Sequence, residues 1–329
     1  MGRRWFVSGL ALVAIHAGVA ATEAGAAPGP KLRAGVGRAD ITPPTGYPLG
    51  GFVRADRTGE GVHTRLYASS MVLKRGKQRV ALVSIDLFAA AGGLVAEAAD
   101  RAHVQAQEGV APAPHTPRVP AGLATFPTYP TTAPSTETID RPETFAEFFT
   151  GQPADPQLYG FLVRRLAASL RRAKRDLAPA VAGWGAKTLT GITRNRSIEA
   201  HLADHGQELA RGEGDAGMDP DGPLHTIDPA VDVLRIDQIQ RRGGRTRRVP
   251  LGGWSMFANH GTVNPSTYEV YHQDHHGPAN RLFEAKVRRR GGVPRRQLVV
   301  NVYGNGNAGD MSAGLDGQGP AVADRVGRA

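Results

Sequence analysis

Short apolar runs alternate with longer amphipathic stretches along most of the chain. Five runs have the length and β-branched content of buried strands, at 35–42, 69–74, 79–85, 181–188 and 231–239. Helices are predicted at 93–107, from Pro156 onward with leucines at 158, 162, 166 and 170, and at 280–290. This alternation predicts an α/β fold in which mixed β-sheets are flanked by helices as a layered sandwich.

Two predicted strands end in polar loops. The run 297–303 leads into a glycine-rich loop that carries Asp310 and Ser312, and the run 252–259 ends at His260. Such loops at sheet edges can present functional side chains. On these residues alone, a surface serine in a glycine-rich turn and a structural histidine remain the alternatives.

Two stretches lack a regular period. Residues 108–140 are dense in Pro and Thr, which predicts either a functional loop or a defect in the sequence. Residues 199–223 are charged and contain glycine, and they are predicted to form a loop.

The N-terminus has the pattern of a secretory signal peptide. Arg3 and Arg4 precede the mostly apolar run 5–20, and Ala24-Gly25-Ala26 fits a small-x-small cleavage site. The sequence therefore predicts a signal peptide at 1–26, a linker at 27–34 and a secreted or periplasmic protein. A membrane anchor is the alternative, but the apolar run is short for one.

The chain is basic and has no cysteine. Its formal charge is +10, with arginine clusters at 171–175, 241–248 and 288–296. A metal site would need His, Asp, Glu or Tyr ligands. Because only six of the 40 basic residues are Lys, a compositional bias toward Arg explains much of the charge. No aromatic residues are interleaved with these clusters, so no nucleic-acid partner is predicted.

Six motifs carry a resemblance to a known family. They are Val36-Gly-Arg-Ala-Asp-Ile-Thr-Pro-Pro, Gly61-Val-His-Thr-Arg-Leu-Tyr-Ala, Asn195-Arg-Ser197, Asp228-Pro-Ala-Val-Asp-Val-Leu-Arg-Ile-Asp, Phe257-Ala-Asn-His-Gly-Thr and Gly309-Asp-Met-Ser. In this order they resemble the neutral (alkaline, non-lysosomal) ceramidase family. The resemblance implies that 35–329 is the N-terminal portion of that family's catalytic domain, and thus an incomplete catalytic domain.

The resemblance implies a zinc-dependent amidohydrolase that cleaves ceramide to a fatty acid and a sphingoid base. His115 and His260 occupy the positions of zinc ligands. Pro117 stands where the family motif around His115 has a second histidine, which suggests a sequence error near 108–123. The two remaining ligands of the family lie beyond Ala329. We therefore expect this chain by itself to be inactive and to bind zinc weakly.

Two further residues are assigned to the active site by the resemblance. Ser312 matches a serine that acts as nucleophile or as an oxyanion-side group, although Ala313 replaces the proline that follows it in the family. Arg196 matches an active-site arginine, which would stabilise a tetrahedral oxyanion. An ordinary surface charge is the alternative for Arg196.

The segment 271–276 is the most conspicuous cluster of ligand-type residues, with three histidines and Asp274. The resemblance places it at a pocket rim or at the start of the following helix, and a metal role is the alternative. For the chain as a whole, the alternatives are an inactive lipid-binding fragment and a metallohydrolase acting on another amide or ester. Peripheral contact with a membrane surface is expected from the lipid substrate, while no oligomeric state is predicted.

Overall fold

The structure is a computed structural model that describes residues 31–47, 49, 57–87, 92–103, 108–109, 123–128, 155–204, 226–313 and 317–329. Its strands are β1 Leu32–Asp40, β2 Gly61–Val62, β3 Tyr67–Arg75, β4 Gln78–Asp86, β5 Glu108–Gly109, β6 Leu123–Thr128, β7 Ala178–Thr188, β8 Thr193–Asn195, β9 Ala230–Arg242, β10 Arg245–Phe257, β11 Val270–Tyr271, β12 Val300–Asn305 and β13 Met311–Ala313. Its helices are α1 Gly92–Arg101, α2 Pro156–Arg175, α3 Ile198–Asp204, α4 His276–Gly291 and α5 Pro320–Arg328.

Nine strands form one mixed sheet that folds over on itself. Its order is β12-β10-β9-β7-β1-β3-β4-β6-β5. The junction is narrow, because β7 pairs with β1 at only two positions before it continues along β9. The two halves therefore face each other, and residues such as Val36, Met71, Ile236 and Val302 pack between them in one apolar cluster.

Helices cover the outer faces of both halves. Helix α2 lies so close to β1 that a Cβ on Gly37 would sit 2.2 Å from the carbonyl oxygen of Ser169. On the other half, a Cβ on Gly253 would lie 3.3 Å from the ring of Phe283 in α4, while the adjacent Trp254 points into the apolar cluster between the sheets. The result is an α/β/β/α arrangement, which confirms the predicted layered α/β sandwich.

Helix α2 shows how closely local sequence dictates structure. Asp155 caps its N-terminus, because Oδ1 accepts hydrogen bonds from the backbone N–H groups of Gln157 at 2.6 Å and Leu158 at 3.0 Å. Pro156 occupies the first turn, where its missing N–H costs nothing. The predicted leucine stripe is buried against the first half-sheet.

Several predicted boundaries are wrong. Strand β1 begins at Leu32, inside the predicted linker, and β12 runs to Asn305 instead of ending at 303. The predicted loop at 199–223 begins as helix α3, in which Ile198 and Leu202 are buried. The stretch 108–140 contains β6, which pairs in parallel with β4, although no strand was predicted there.

Strands β10 and β12 set the position of the candidate site. They are parallel neighbours, with Gly252 opposite Val300 and Phe257 opposite Asn305. Both strands therefore end at the same edge of the sheet, and the loops that follow them are adjacent. Ligand sites in α/β sheets typically form at such carboxyl ends. Within the described part of the chain, none of the helices combines the length and apolar character needed to cross a bilayer.

Candidate functional site

The loops after β10 and β12 are connected by backbone hydrogen bonds. Gly306 N donates to the carbonyl oxygen of Phe257 at 3.1 Å, and His260 N donates to that of Met311 at 3.0 Å. Strand β13, which contains Ser312, pairs antiparallel with β8 and places Ser312 opposite Arg194. Three sequence-distant segments, around residues 196, 260 and 312, therefore meet at one edge of the fold.

The orientation of the His260 ring is fixed through one of its two nitrogens. Its Nδ1–H donates to the carbonyl oxygens of Ala308 and Met311, the latter at 3.1 Å. Partial burial lowers the pKa of His260, and the positive charge of Arg196 lowers it further. In the neutral tautomer with the proton on Nδ1, the lone pair lies on Nε2. This is the state in which an imidazole binds a metal ion, with a backbone carbonyl fixing the other nitrogen.

Arg196 is attached to the glycine-rich loop by two hydrogen bonds. Its backbone N donates to the carbonyl oxygen of Asp310 at 2.8 Å, and its Nη2 donates to that of Gly309 at 2.7 Å. The side chain is otherwise exposed. A guanidinium group is thus positioned beside the loop that carries Ser312, where it lies close enough to His260 to influence its pKa.

Ser312 lies partly buried in the short strand β13. Its carbonyl oxygen accepts a hydrogen bond from Thr193 Oγ1 at 3.2 Å, and the same hydroxyl reaches the carbonyl oxygen of Ala258 at 3.3 Å. Thr193 therefore connects the backbone of Ser312 to the end of β10. The catalytic roles of Ser312 and Arg196 stay predictions, but the fold brings both residues to the loop that holds His260.

Asn195 is a positioning residue that was not singled out from the sequence. It is fully buried, and its Nδ2 donates to Asp310 Oδ2 and to the carbonyl oxygen of Thr226, both at 2.8 Å. Its Oδ1 accepts from the backbone N of Ser197 at 2.7 Å. These bonds fix the backbone on both sides of Arg196. They also hold the side chain of Asp310 in the loop that carries Ser312. The available signal was its place in the Asn195-Arg-Ser197 motif.

The second predicted zinc ligand, His115, lies outside the described residues, as does Pro117. Among the residues that the structure does describe, no group of three or more His, Asp or Glu side chains is arranged to hold a metal ion. The tautomer of His260 fits a metal-binding role, but one imidazole supplies a quarter of the usual tetrahedral shell of zinc. The predicted zinc site therefore depends on ligands beyond the described part of the chain.

The histidine-rich segment 271–276 is buried at the start of α4, so the predicted helix-start position is confirmed. The exposed fraction is 1% for His272, 2% for His275 and 0% for His276. The rings of His275 and His276 stack with centroids 4.0 Å apart, and Tyr303 packs edge-on against His276. The segment is thus packed into the interior, and its side chains do not form a group of three or more metal ligands within the described residues.

Asp274 organises this segment. Its two carboxylate oxygens accept five hydrogen bonds, from the backbone N of Val263, from the backbone N and Nδ2 of Asn264, and from the backbone N and Nδ1 of His275. Burial alone would raise the pKa of Asp274, but these bonds and the neighbouring imidazoles lower it to about 2. The carboxylate thereby fastens the loop after β10 to the start of α4.

His272 has a fixed tautomer. Its Nδ1 accepts hydrogen bonds from the backbone N of Asp274 at 3.0 Å and from Asn264 Nδ2 at 3.1 Å, so its proton lies on Nε2. Burial lowers the pKa of His272 to about 4. A protonated Nε2 is a hydrogen-bond donor and not a metal ligand. The geometry therefore assigns a structural role to this residue.

The chain is an α/β domain in which the loops after two parallel strands converge, as they do at the ligand and active sites of many α/β enzymes. Residues 148–325 match the family model described as neutral/alkaline non-lysosomal ceramidase, N-terminal. The chain therefore belongs to this ceramidase family.

Curated relatives agree with this assignment. The chain is 25% identical over 293 residues to the neutral ceramidase of Drosophila melanogaster, a match that covers 87% of this chain and 36% of the relative. The neutral ceramidase of Drosophila pseudoobscura pseudoobscura is also 25% identical, over 295 residues. The chain thus spans about a third of the length of the curated relatives it matches.

A solved structure has the same fold. The crystal structure of neutral ceramidase from Pseudomonas aeruginosa superposes with a TM-score of 0.67 at 21% sequence identity. The superposition covers 92% of this chain and 44% of that chain. A second ceramidase structure, described as complexed with C2, gives the same TM-score.

Proposed function

We propose that this chain forms the N-terminal part of a catalytic domain that hydrolyses the N-acyl linkage of ceramide to a fatty acid and a sphingoid base. Family membership supports the reaction class. The observation that carries the proposal is the meeting of Arg196, His260 and Ser312. His260 and Ser312 follow the adjacent strands β10 and β12, and Arg196, which follows β8, is hydrogen-bonded to the loop before Ser312.

The proposed chemistry uses a cation beside a nucleophile. Hydrolysis of the amide breaks its C–N bond, with a hydroxyl added to the acyl carbon and a proton added to the leaving amine. The carbonyl oxygen carries negative charge in the tetrahedral intermediate. Arg196, fixed to the carbonyl of Gly309, would stabilise that charge, and Ser312 would act as nucleophile or as an oxyanion-side group.

Zinc is part of the proposal. His260 through Nε2, together with His115, would hold the ion with further ligands from outside the described residues. When bound, zinc would polarise the acyl carbonyl and lower the pKa of a bound water. The part that this chain contributes is the orientation of His260 by the carbonyls of Ala308 and Met311.

The test is a fluorescent-ceramide assay on two proteins. One is the 329-residue chain. The other is this chain with residues 108–123 replaced by the matching stretch of Drosophila melanogaster neutral ceramidase, fused to the part of that protein that lies beyond the matched region. We expect no turnover by the chain alone and turnover by the fusion. Ser312→Ala and Arg196→Gln in the fusion should each lower the rate at least ~100-fold. Arg235→Gln, at an exposed residue of β9, is the matched control for loss of an arginine.

The alternatives give distinct results in the same assay. A folded fusion that binds ceramide without turnover would identify an inactive lipid-binding protein. Hydrolysis of other amides or esters without ceramide turnover would identify a different metallohydrolase. Full activity of the Ser312→Ala and Arg196→Gln variants would contradict the site assignment itself.

Location is a separate proposal. Residues 1–26 would act as a signal peptide, so that the mature protein is secreted or periplasmic and meets its lipid substrate by peripheral contact with a membrane surface. N-terminal sequencing of protein recovered from outside the cytoplasm should begin at Ala27. Recovery of the uncleaved chain from the cytoplasm alone would contradict export.

A further inference from the structure

Two arginine-rich segments that are far apart in sequence meet at one end of the fold. The first is the tip of the β9–β10 hairpin at 241–248, and the second is the turn after α4 at 288–296. Together with their flanks, residues 238–250 and 285–299 contain ten arginines and Lys286 but no Asp or Glu. We refer to these two segments as the basic end.

Specific contacts hold the two segments together. Arg247 Nη2 donates to the carbonyl oxygens of Gly291 at 2.9 Å and Gly292 at 3.2 Å. Gln240 Nε2 donates to Gln297 Oε1 at 3.1 Å. Beneath these bonds the valines of both segments form their own small core, which consists of Val249, Val287, Val293 and Val299. The basic end is therefore a fixed platform and not a pair of independent loops.

Several arginines elsewhere on the protein have carboxylate partners. Arg38 pairs with Glu284, Arg65 with Asp40 at 2.9 Å, and Arg281 with Asp324 at 3.1 Å; Arg101 and Arg235 also form salt bridges. The two segments of the basic end contain no Asp or Glu that could pair with their arginines. Its charge is therefore concentrated, whereas the charge elsewhere is largely balanced.

Structural roles account for only some of these arginines. Arg247 and Arg288 donate to backbone carbonyls, and Arg288, Arg289 and Arg290 lie in the last turn of α4, where cations are favoured by the helix dipole. No such reason applies to the other exposed arginines of the hairpin and of the turn, which are Arg241, Arg245, Arg248, Arg295 and Arg296.

We infer that the basic end is a docking surface for membranes that contain anionic phospholipids. Guanidinium groups bind phosphate oxygens through paired hydrogen bonds, and clustered basic residues add to one another at a charged bilayer surface. Leu298, which lies two residues after Arg296 and is 37% exposed, adds an apolar side chain that can enter the interface. The two segments contain no aromatic residue on which bases of a single-stranded nucleic acid would stack.

This surface is separate from the candidate site. The last arginine of the hairpin is Arg248, near the start of β10, while His260 lies beyond Phe257, the last residue of that strand. The nine residue steps from Arg248 to Phe257 span ~30 Å. Docking through the basic end therefore holds the protein at the membrane without using the loops of the site, and its loss leaves those loops intact.

The experiment measures binding of the 329-residue chain to sedimented vesicles. One set contains phosphatidylcholine alone, and the other contains phosphatidylcholine and phosphatidylglycerol in equal parts. The test variant combines Arg245→Gln, Arg248→Gln, Arg295→Gln and Arg296→Gln, all at exposed residues whose side chains have no structural role in the fold. The matched control combines Lys77→Gln, Arg164→Gln, Arg175→Gln and Arg325→Gln, which changes the net charge equally at scattered exposed sites.

We expect the test variant to bind anionic vesicles at least ~100-fold more weakly and the control less than ~5-fold more weakly. Equal losses in both variants would show that net charge alone governs binding and would overturn the proposal. Tighter binding of the unmodified chain to duplex DNA or RNA than to anionic vesicles at the same salt concentration would also overturn it. Circular dichroism and thermal unfolding establish that both variants are folded. Because this binding assay involves no ceramide turnover, its outcome is independent of the proposed enzymatic function.

Discussion

His260 and the segment 271–276 offer the same ligand chemistry in two different settings. His260 is partly exposed at the end of a strand, and backbone carbonyls hold its Nδ1–H so that the lone pair lies on Nε2. The histidines at 272, 275 and 276 are buried around Asp274. The carboxylate of Asp274 accepts hydrogen bonds from backbone and side-chain N–H groups. His260 is thus oriented toward a possible ligand, whereas the buried histidines help to fasten the loop after β10 to the start of α4.

A high density of ligand-type residues therefore does not by itself identify a metal site. Three histidines and an aspartate within six positions look more like a site than a lone histidine does. In the fold, however, the cluster is packed by ring stacking and by a network centred on Asp274. What distinguishes His260 is the orientation of its ring and its place among the loops of two parallel strands.

The largest effect is expected from Asp274→Ala. Removal of this carboxylate leaves the N–H groups of Val263, Asn264 and His275 without their acceptor in a buried place. The free energy of unfolding should fall by about 3–5 kcal/mol, measured by urea denaturation. Asp324→Ala removes a carboxylate from the exposed pair with Arg281 and should cost less than about 1 kcal/mol. Similar losses in both variants would contradict the central role of Asp274.

A pH effect of intermediate size is expected from His272. The folded chain holds the pKa of this residue at about 4, against an ordinary value of 6.5. As the pH falls below 6.5 the unfolded chain takes up the proton first, so stability is lost between pH 6.5 and about 4. The loss from this residue is at most about 3 kcal/mol.

The variant His272→Asn tests this assignment. Asn has no titrating group but keeps an acceptor near the backbone N of Asp274, so the fall in stability between neutral pH and about pH 4 should become smaller. Urea denaturation across this range is the measurement. His103→Asn is the control for an imidazole removed from the surface, and an equal flattening in both variants would refute the assignment to His272.

A smaller effect on stability is expected from Asn195→Ala, which tests the loops around His260. The variant removes the hydrogen bonds of Asn195 to Asp310 Oδ2, to the carbonyl of Thr226 and to the N–H of Ser197, and should lower the free energy of unfolding by about 1–3 kcal/mol. In the active fusion it should also lower the ceramide turnover rate, because Arg196 and the Ser312 loop lose a common support. Unchanged turnover in a destabilised variant would limit Asn195 to a purely structural role.

Regular, strongly patterned elements could be predicted from the sequence. The leucine stripe and Asp155 cap of α2, the β3–β4 hairpin around Gly76, and the strand that ends before His260 all occur close to where the pattern placed them. The order of motifs also identified the family. The signals for the individual elements are local, because they arise from periodicity, capping or turn residues.

What could not be predicted depends on tertiary pairing. Strand β6 is recognisable by its parallel pairing with β4, while its own sequence contains Pro127 and has no clear alternation. The convergence of the two arginine segments depends on how β10 and α4 meet, which no short motif encodes. Ile198 and Leu202 have the spacing of a helix, but the charged and glycine-containing stretch 199–223 as a whole predicts a loop and so hides helix α3.

The proposal for the metal site is that His260, and not the cluster at 272–276, is one of the metal-binding histidines of this chain. Titration of zinc into the chain with nitrogen-15-labelled histidines tests it most directly, since imidazole nitrogen shifts report both tautomer and metal binding by NMR. Before zinc, His260 should carry its proton on Nδ1 and His272 on Nε2. With zinc, the Nε2 resonance of His260 should shift while those of His272, His275 and His276 stay in place. Zinc-dependent shifts of His275 or His276 with an unchanged His260 would contradict the account.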